Sequence, residues 1–191
     1  MLHVVRHGRT EANAAGLLLG LLDPDLDALG IRQATAVAAA IGPVDRVVSS
    51  PLLRAVRTAE AFGLDVKTDD RWLELDYGDL DGTSVFDVPS STWVQWRADL
   101  DWAPPGGESH AALGERVRSA CEDLLAEAAG SEVVVVTHVS PIKAALAWAL
   151  GVGDEIAWRC FVAPASVLRI AVGPGGPTVQ SFNDVAHLGA L

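Results

Sequence analysis

Apolar residues gather in three short, valine-rich runs at positions 2–5, 44–48 and 133–137, nearly continuous rather than cleanly alternating. That pattern predicts strands buried on both faces, as in a parallel sheet covered by helices. Helix-start chemistry follows each run: Thr10 with Glu11 after the first, Ser50–Pro51 after the second and Ser140–Pro141 after the third. A hydroxyl N-cap followed by proline at the first helical position is a sequence-level start signal. Strand then helix, three times over, predicts an α/β fold. Its form is a three-layer sandwich with a mostly parallel central sheet and helices on both faces.

Between these units, residues 29–41 form an alanine-rich helical stretch ended by Gly42–Pro43, and 114–129 a second one ended by Gly130. Residues 167–172 and 178–182 read as a hairpin around 173–177. The stretch 83–107 follows neither period and carries Trp93, Trp96 and Trp102, so it is expected to be a lid-like insertion over one end of the sheet. The chain, 191 residues, is predicted to form a single domain over 1–191.

Composition narrows the possible partners. Half the residues are hydrophobic, enough for a sizeable core, and a formal net charge of −11 argues against nucleic acid and anionic membranes. The two cysteines, Cys121 and Cys160, have no metal-site spacing, and cytoplasmic placement is the expectation. No cofactor is called for, and oligomeric state is left open. Any anionic substrate must be met by local cations.

Such cations are expected where ligands bind in sheets of this class, beyond the carboxyl ends of the strands. The first run ends in Arg6, His7, Gly8 and Arg9; the second in Ser49 and Ser50, with Arg54 one turn on; the third in His138, Val139 and Ser140. Histidines, arginines and helix N-termini converging on one edge make an anion site suited to phosphate.

These residues also carry a resemblance. LHVVRHGRTEAN at 2–13 resembles the signature of the histidine phosphatase superfamily, the phosphoglycerate-mutase-like proteins. SSPLLRAVRTAE at 49–60, ELDYGDLDG at 74–82, PGGES at 105–109, VVVVTHVSPIKAAL at 133–146 and FNDVAHL at 182–188 are similar to later blocks of that family, in the same order. The resemblance implies a phosphatase that needs no metal and acts on a small phosphorylated metabolite. His7 would be the nucleophile, and Arg6 and Arg54 would grip the phosphoryl oxygens with planar forks. A protonated His138 would add a donor, while Asn13 and the Val139 amide would contact phosphate. Gly8 would permit close backbone approach beside the nucleophile. Glu74 would protonate the leaving oxygen and then activate water.

Val139 departs from the glycine common after the second histidine, and this THVSPIK form resembles a subset of small phosphatases. Competing readings are a metallophosphatase, a phosphate-binding regulatory protein and a mutase that returns the phosphoryl group to another hydroxyl. A metallophosphatase is disfavoured by the lack of an H-x-H or HExxH pair, and the others by His7 with Glu74 and by compactness. Arg9 and Arg57 fit either phosphate contact or the surface. A structural role suits His187, none is assigned to His3 or His110, and the tryptophans fit packing better than substrate contact. Sequence does not separate α-ribazole, sugar-phosphate and broad acid phosphatases.

Overall fold

The computed structural model describes residues 1–189. A six-stranded sheet in the order β3-β2-β4-β1-β5-β6 lies at its centre. The strands are β1 (Leu2–Arg6), β2 (Arg46–Ser49), β3 (Val66–Thr68), β4 (Val133–Thr137), β5 (Val167–Gly173) and β6 (Gly176–Asp184). β3, β2, β4 and β1 run parallel, and β5 and β6 add an antiparallel edge. Helices α1 (Glu11–Ala14), α2 (Ala28–Ile41), α3 (Leu53–Ala59), α4 (Ser90–Ala98), α5 (His110–Ala128) and α6 (Val139–Leu150) complete the α/β architecture.

The valine runs are continuous because both faces of the sheet are covered. Val4, Val133 and Val135 belong to a core shared with Leu113, Val117, Cys121 and Ile142 of α5 and α6. Val5, Val134 and Val136 belong to the opposite core, with Val37 of α2 and Ala55 of α3. Burying each such side chain contributes about 1.5–3 kcal/mol, so successive residues of one strand support two layers.

Several local expectations shift. The second strand begins at Arg46, not Val44, and Asp45 before it accepts the Glu132 N–H at 2.8 Å. The short edge strand β3 was not foreseen. Its three residues, half-buried then exposed, leave no period to read. Ser50–Pro51 does not cap α3; Leu52 sits at the N-cap, and Asp23 accepts the first helical N–H, that of Leu53, at 2.6 Å. Nor does Ser140–Pro141 start α6, which begins at Val139 after an extended His138. Pro141 falls in the first turn, where its missing N–H has no intrahelical partner to lose. α5 begins at His110, earlier than the expected 114, because Ser109 caps it by accepting the Ala112 N–H. Thr10 does cap α1, through a reciprocal box with Asn13.

Parallel register brings the functional strand ends level. Arg6 of β1 pairs with Thr137 of β4, and Ser49 of β2 with Val136. The residues that follow these positions therefore emerge side by side.

Candidate functional site

His7 leaves β1 with its backbone N–H bonded to the Thr137 carbonyl at 2.9 Å, which fixes it beside the end of β4. Its ring is 2% exposed. Nδ1 lies 2.6 Å from the Gly8 carbonyl oxygen. A carbonyl only accepts, so Nδ1 carries the proton and Nε2 presents a lone pair. Burial, then the charges of Arg6 and Arg54, hold the His7 pKa well below 6.5 and keep that lone pair available. Gly8 donates its own N–H to Thr58 Oγ1 at 3.0 Å. Its small size serves a different contact from the one expected: a Cβ there would lie 2.4 Å from the Gly30 carbonyl of α2.

His138 lies across from His7, the ring centroids 5.1 Å apart. Its Nε2 is 2.8 Å from Ser50 Oγ, which gives Ser50 a role in the site in place of helix capping. The fold opposes the imidazolium expected at His138. Burial, followed by the charges of Arg54, His7 and Arg6, keeps its pKa well below 6.5. Arg6 donates through one terminal nitrogen to the Val162 carbonyl at 2.8 Å, and burial lowers its pKa to about 10.

Arg54 is fully buried, and both of its terminal nitrogens already donate within the fold. They donate to the carbonyls of Leu22 at 2.7 Å and Gly20 at 2.8 Å, with Leu19 at 3.4 Å. Asp81 grips the same loop by its amides, accepting from Gly20, Leu21 and Leu22 at 2.7–2.9 Å. Arg54 Nε, Arg6 Nε and His138 Nδ1 are buried nitrogens with no partner among the described residues. Buried polar atoms rarely lack partners, and all three belong to residues that lie near His7.

Glu74 closes the arrangement. Its carboxylate accepts the Val139 N–H at 3.0 Å, the Ser140 N–H at 3.1 Å and its own neighbour's, Leu75, at 2.8 Å. An acid from a distant segment thus caps α6, where the helix dipole favours negative charge. The Val139 amide, expected to be free for phosphate, is engaged by that carboxylate instead. Two imidazoles, two arginines and one acid on a shared edge can bind an oxyanion, attack it and move a proton.

The sequence pattern of the histidine phosphatase superfamily (branch 1) matches residues 2–185. The chain belongs to that superfamily. It is 35% identical over 197 residues to a bifunctional protein of Mycobacterium tuberculosis, covering 97% of this chain but 54% of that protein, so it spans about half of that relative. Phosphoserine phosphatase 1 of Hydrogenobacter thermophilus is 33% identical over 198 residues, with 97% and 93% covered. A crystal structure of phosphoserine phosphatase from Entamoeba histolytica in complex with phosphoserine superposes with a TM-score of 0.89 at 27% identity, covering 98% of both chains.

Other residues weighed from the sequence of this superfamily member have partners of their own. Asn13 Oδ1 accepts the Thr10 N–H at 3.1 Å in the α1 cap, leaving only its side-chain NH₂ for a ligand. Arg9 pairs with Asp27 at 2.6 Å, and Arg57 pairs with Glu60 at 3.2 Å on the surface. His3 meets Glu132 at 2.7 Å, and His187 Nε2 lies 2.9 Å from the Ala165 carbonyl oxygen, a structural contact. Thr58, Tyr77 and Asp81 were not singled out, and Ser50 was placed at this edge without its bond to His138, since each acts through a tertiary contact that spacing does not reveal. Thr58 had a signal in the SSPLLRAVRTAE block, and Tyr77 and Asp81 in the ELDYGDLDG block. The Tyr77 hydroxyl pairs with Ser140, and burial pushes its pKa up.

Beside this cluster a cavity of about 170 Å³ is walled by Tyr77, Trp93, Trp96 and Trp158, with His110 and Lys143 among its lining. Trp93 stacks on Trp96 at 5.6 Å, and Trp96 meets Trp102 and Trp158 edge-on. The tryptophans of residues 83–107 therefore pack on one another, and Trp93 and Trp96 also line the cavity. A larger cleft, about 590 Å³ near Arg46, Lys67 and Arg71, lies at the β3 edge, away from the histidines. Among the described residues, no three or more His, Cys, Asp or Glu side chains are placed to hold a metal ion. None of the described helices is long and apolar enough to cross a membrane.

Proposed function

We propose that this chain is a phosphomonoester hydrolase that passes its substrate's phosphoryl group through His7. The observation that carries the reading is the fixed His7 tautomer, Nδ1–H on the Gly8 carbonyl, in a ring that faces His138 and feels the charges of Arg6 and Arg54. The ring needs no base, because its lone pair is already exposed toward incoming phosphorus.

In the first step Nε2 bonds to phosphorus as the bond to the ester oxygen breaks, and Glu74 gives that oxygen its proton. In the second, the Glu74 carboxylate takes a proton from water, the resulting hydroxide attacks phosphorus, and Nε2 departs. Arg6 and Arg54 carry positive charge toward the oxygens throughout. A phosphate dianion beside His138 opposes the effect of burial and favours its protonated, donating form. Asn13 contributes its NH₂, and Gly8 and Val139 serve the anion indirectly through the His7 and Glu74 contacts. The substrate is a small phosphorylated metabolite, in keeping with the phosphoserine phosphatases among its relatives. Nucleic acid and membrane are not partners in this reading, which the net charge of −11 supports. A cytoplasmic setting, a single domain over 1–191 and independence from metal complete it; both cysteines are free.

Rapid mixing with a phosphomonoester tests the reading. It should trap one acid-labile, base-stable phosphoryl group, absent from His7→Ala, and turnover should survive exhaustive chelation. Normal turnover by His7→Ala would overturn it. Activity lost on chelation and restored by metal would favour a metallophosphatase, and transfer to an added alcohol in preference to water a mutase.

A further inference from the structure

Residues 73–77, which include Glu74, form neither helix nor strand. Backbone without a ladder must find other partners for its carbonyls. Here four in succession are met by side chains. The Trp72 carbonyl accepts from Thr137 Oγ1 at 2.6 Å, at the end of β4 that pairs with Arg6. Those of Arg71, Leu73 and Glu74 all accept from one residue, Arg116 of α5, at 2.7, 2.8 and 3.2 Å.

Arg116 is in turn held by Glu108. Its Nε and one terminal nitrogen meet the two carboxylate oxygens at 2.8 and 2.7 Å, a fork against a fork. That fixes the guanidinium plane and turns the other terminal nitrogen onto the Arg71 and Leu73 carbonyls. Glu108 also donates its own N–H to the Asp76 carbonyl at 2.9 Å, so the segment is gripped on both sides of Glu74. Gly107 permits this approach, since a Cβ there would lie 2.4 Å from the same carbonyl oxygen. The guanidinium groups of Arg71 and Arg118, by contrast, donate only to side chains among the described residues.

We propose that Arg116, oriented by Glu108, is a positioning residue that fixes the backbone at Glu74 and so sets where the proton-transferring carboxylate sits. The inference rests on the hydrolase reading, and goes beyond it by naming what holds its acid. Glu74 is pinned at two points, its carboxylate on the amides of Leu75, Val139 and Ser140 and its carbonyl on Arg116. A shift of this backbone is a shift of the carboxylate, and a misplacement of about 1 Å can cost about two powers of ten in rate. Because Arg116 acts through Glu74, its loss should be felt where a proton is needed.

The test sets glycerol 3-phosphate, whose alkoxide needs a proton to leave, against p-nitrophenyl phosphate, whose phenolate does not. For each, kcat/KM covers the steps through release of the alcohol or phenol. Arg116→Lys keeps the charge and loses the planar fork, so kcat/KM for glycerol 3-phosphate should fall by about 10- to 100-fold. That for p-nitrophenyl phosphate should stay within about threefold of wild type, well under the one power of ten that 1.4 kcal/mol represents. Glu108→Gln, which retains one acceptor oxygen for the fork, should show the same selectivity at smaller size, and it carries the test if Arg116→Lys does not fold. The two changes together should cost little more than Arg116→Lys alone, because the pair acts as a unit. Equal losses on both substrates would show that Arg116 supports the fold at large, and would overturn the proposal. An unchanged ratio in a variant of lowered melting temperature would overturn it too. Glu74→Gln, measured alongside, separates these failures from failure of the reading beneath: if it also treats both substrates alike, Glu74 is not the acid.

Discussion

The Glu74 carboxylate accepts the backbone N–H of Val139 at 3.0 Å, tying the candidate proton donor to the residue that follows the second histidine. One contact thereby couples the acid, the start of α6 and the position of His138. Val139 is helical, and among the described residues the non-glycine positions with positive φ are Ala165 and Asn183, so this position makes no demand for glycine.

Val139→Pro isolates the contact. Proline is favoured at the first helical position, and His138 before it is already extended, as a residue preceding proline must be. The substitution therefore removes the N–H with little harm to α6. Losing a charge-assisted hydrogen bond should cost about 1.5–3 kcal/mol in urea unfolding, and hydrolysis of alkyl phosphates should slow as Glu74 loses its anchor. Unchanged stability would show that Ser140 and Leu75 hold the carboxylate unaided.

How far the sequence discloses this site depends on the range of each contact. β1 and β4 are legible because valines on both faces leave an unbroken apolar run, and His7 and His138 follow from where those runs end. The α6 boundary is not legible, because its cap is Glu74 from another segment and not Ser140. The same holds for α3, capped by Asp23. Arg54 can be seen as a cation near the site, but its grip on the Leu19, Gly20 and Leu22 carbonyls cannot be seen. Lys143 looks like an ordinary helix residue until the fold sets it in one cavity with Trp93, Trp96 and Trp158.

Arg54→Lys should be severe, for a reason that combines charge and architecture. Lysine keeps the charge but cannot reproduce a planar fork that holds several carbonyls at once, so the loop carrying Leu19, Gly20 and Leu22 loses its anchor. Loss of a transition-state donor typically costs about two to three powers of ten in rate. Arg57→Lys, on the surface, should cost far less, and Arg9→Lys should act mainly on stability through Asp27. Steady-state kinetics on the three variants checks the order. Equal, small effects would remove Arg54 from the site.

Acid should destabilise the fold through its buried histidines. Burial first, then the charge of Lys143, lowers the His110 pKa to about 4. In the unfolded chain an unperturbed histidine binds its proton as pH falls through about 6.5. Between these values the unfolded state holds more protons, so stability is full above about 6.5 and declines as pH falls toward 4. From pH 7 to 5, His110 alone should contribute a loss of about 2 kcal/mol. Urea unfolding of His110→Phe should show a shallower fall over that interval than wild type. The slope that remains belongs chiefly to His7 and His138, whose pKa values are also held down. Identical slopes would mean that His110 is protonated in the folded protein.

The leaving group decides whether Glu74 moves a proton or only caps a helix. An alkyl alkoxide is a poor leaving group and needs a proton as its bond to phosphorus breaks, whereas nitrophenolate departs almost unaided. With Glu74 as the acid, Glu74→Gln should slow alkyl phosphate hydrolysis by about two to four powers of ten. Formation of phosphohistidine from p-nitrophenyl phosphate should be far less affected. Its breakdown still needs a base for water, so phosphoenzyme should accumulate and nitrophenol should appear as a burst. Glutamine retains one acceptor oxygen for the Val139 and Ser140 amides, so much of the cap survives the change. Val139→Pro, which weakens the cap and keeps the acid, is the complementary variant and should give no burst. Asp76 bonds the Gly78 N–H at 2.9 Å and Asp79 is exposed, so Asp76→Asn and Asp79→Asn serve as matched controls. If Glu74→Gln slows both substrate types equally and gives no burst, Glu74 supports the pocket only. A burst in Asp76→Asn or Asp79→Asn instead would identify that aspartate as the base.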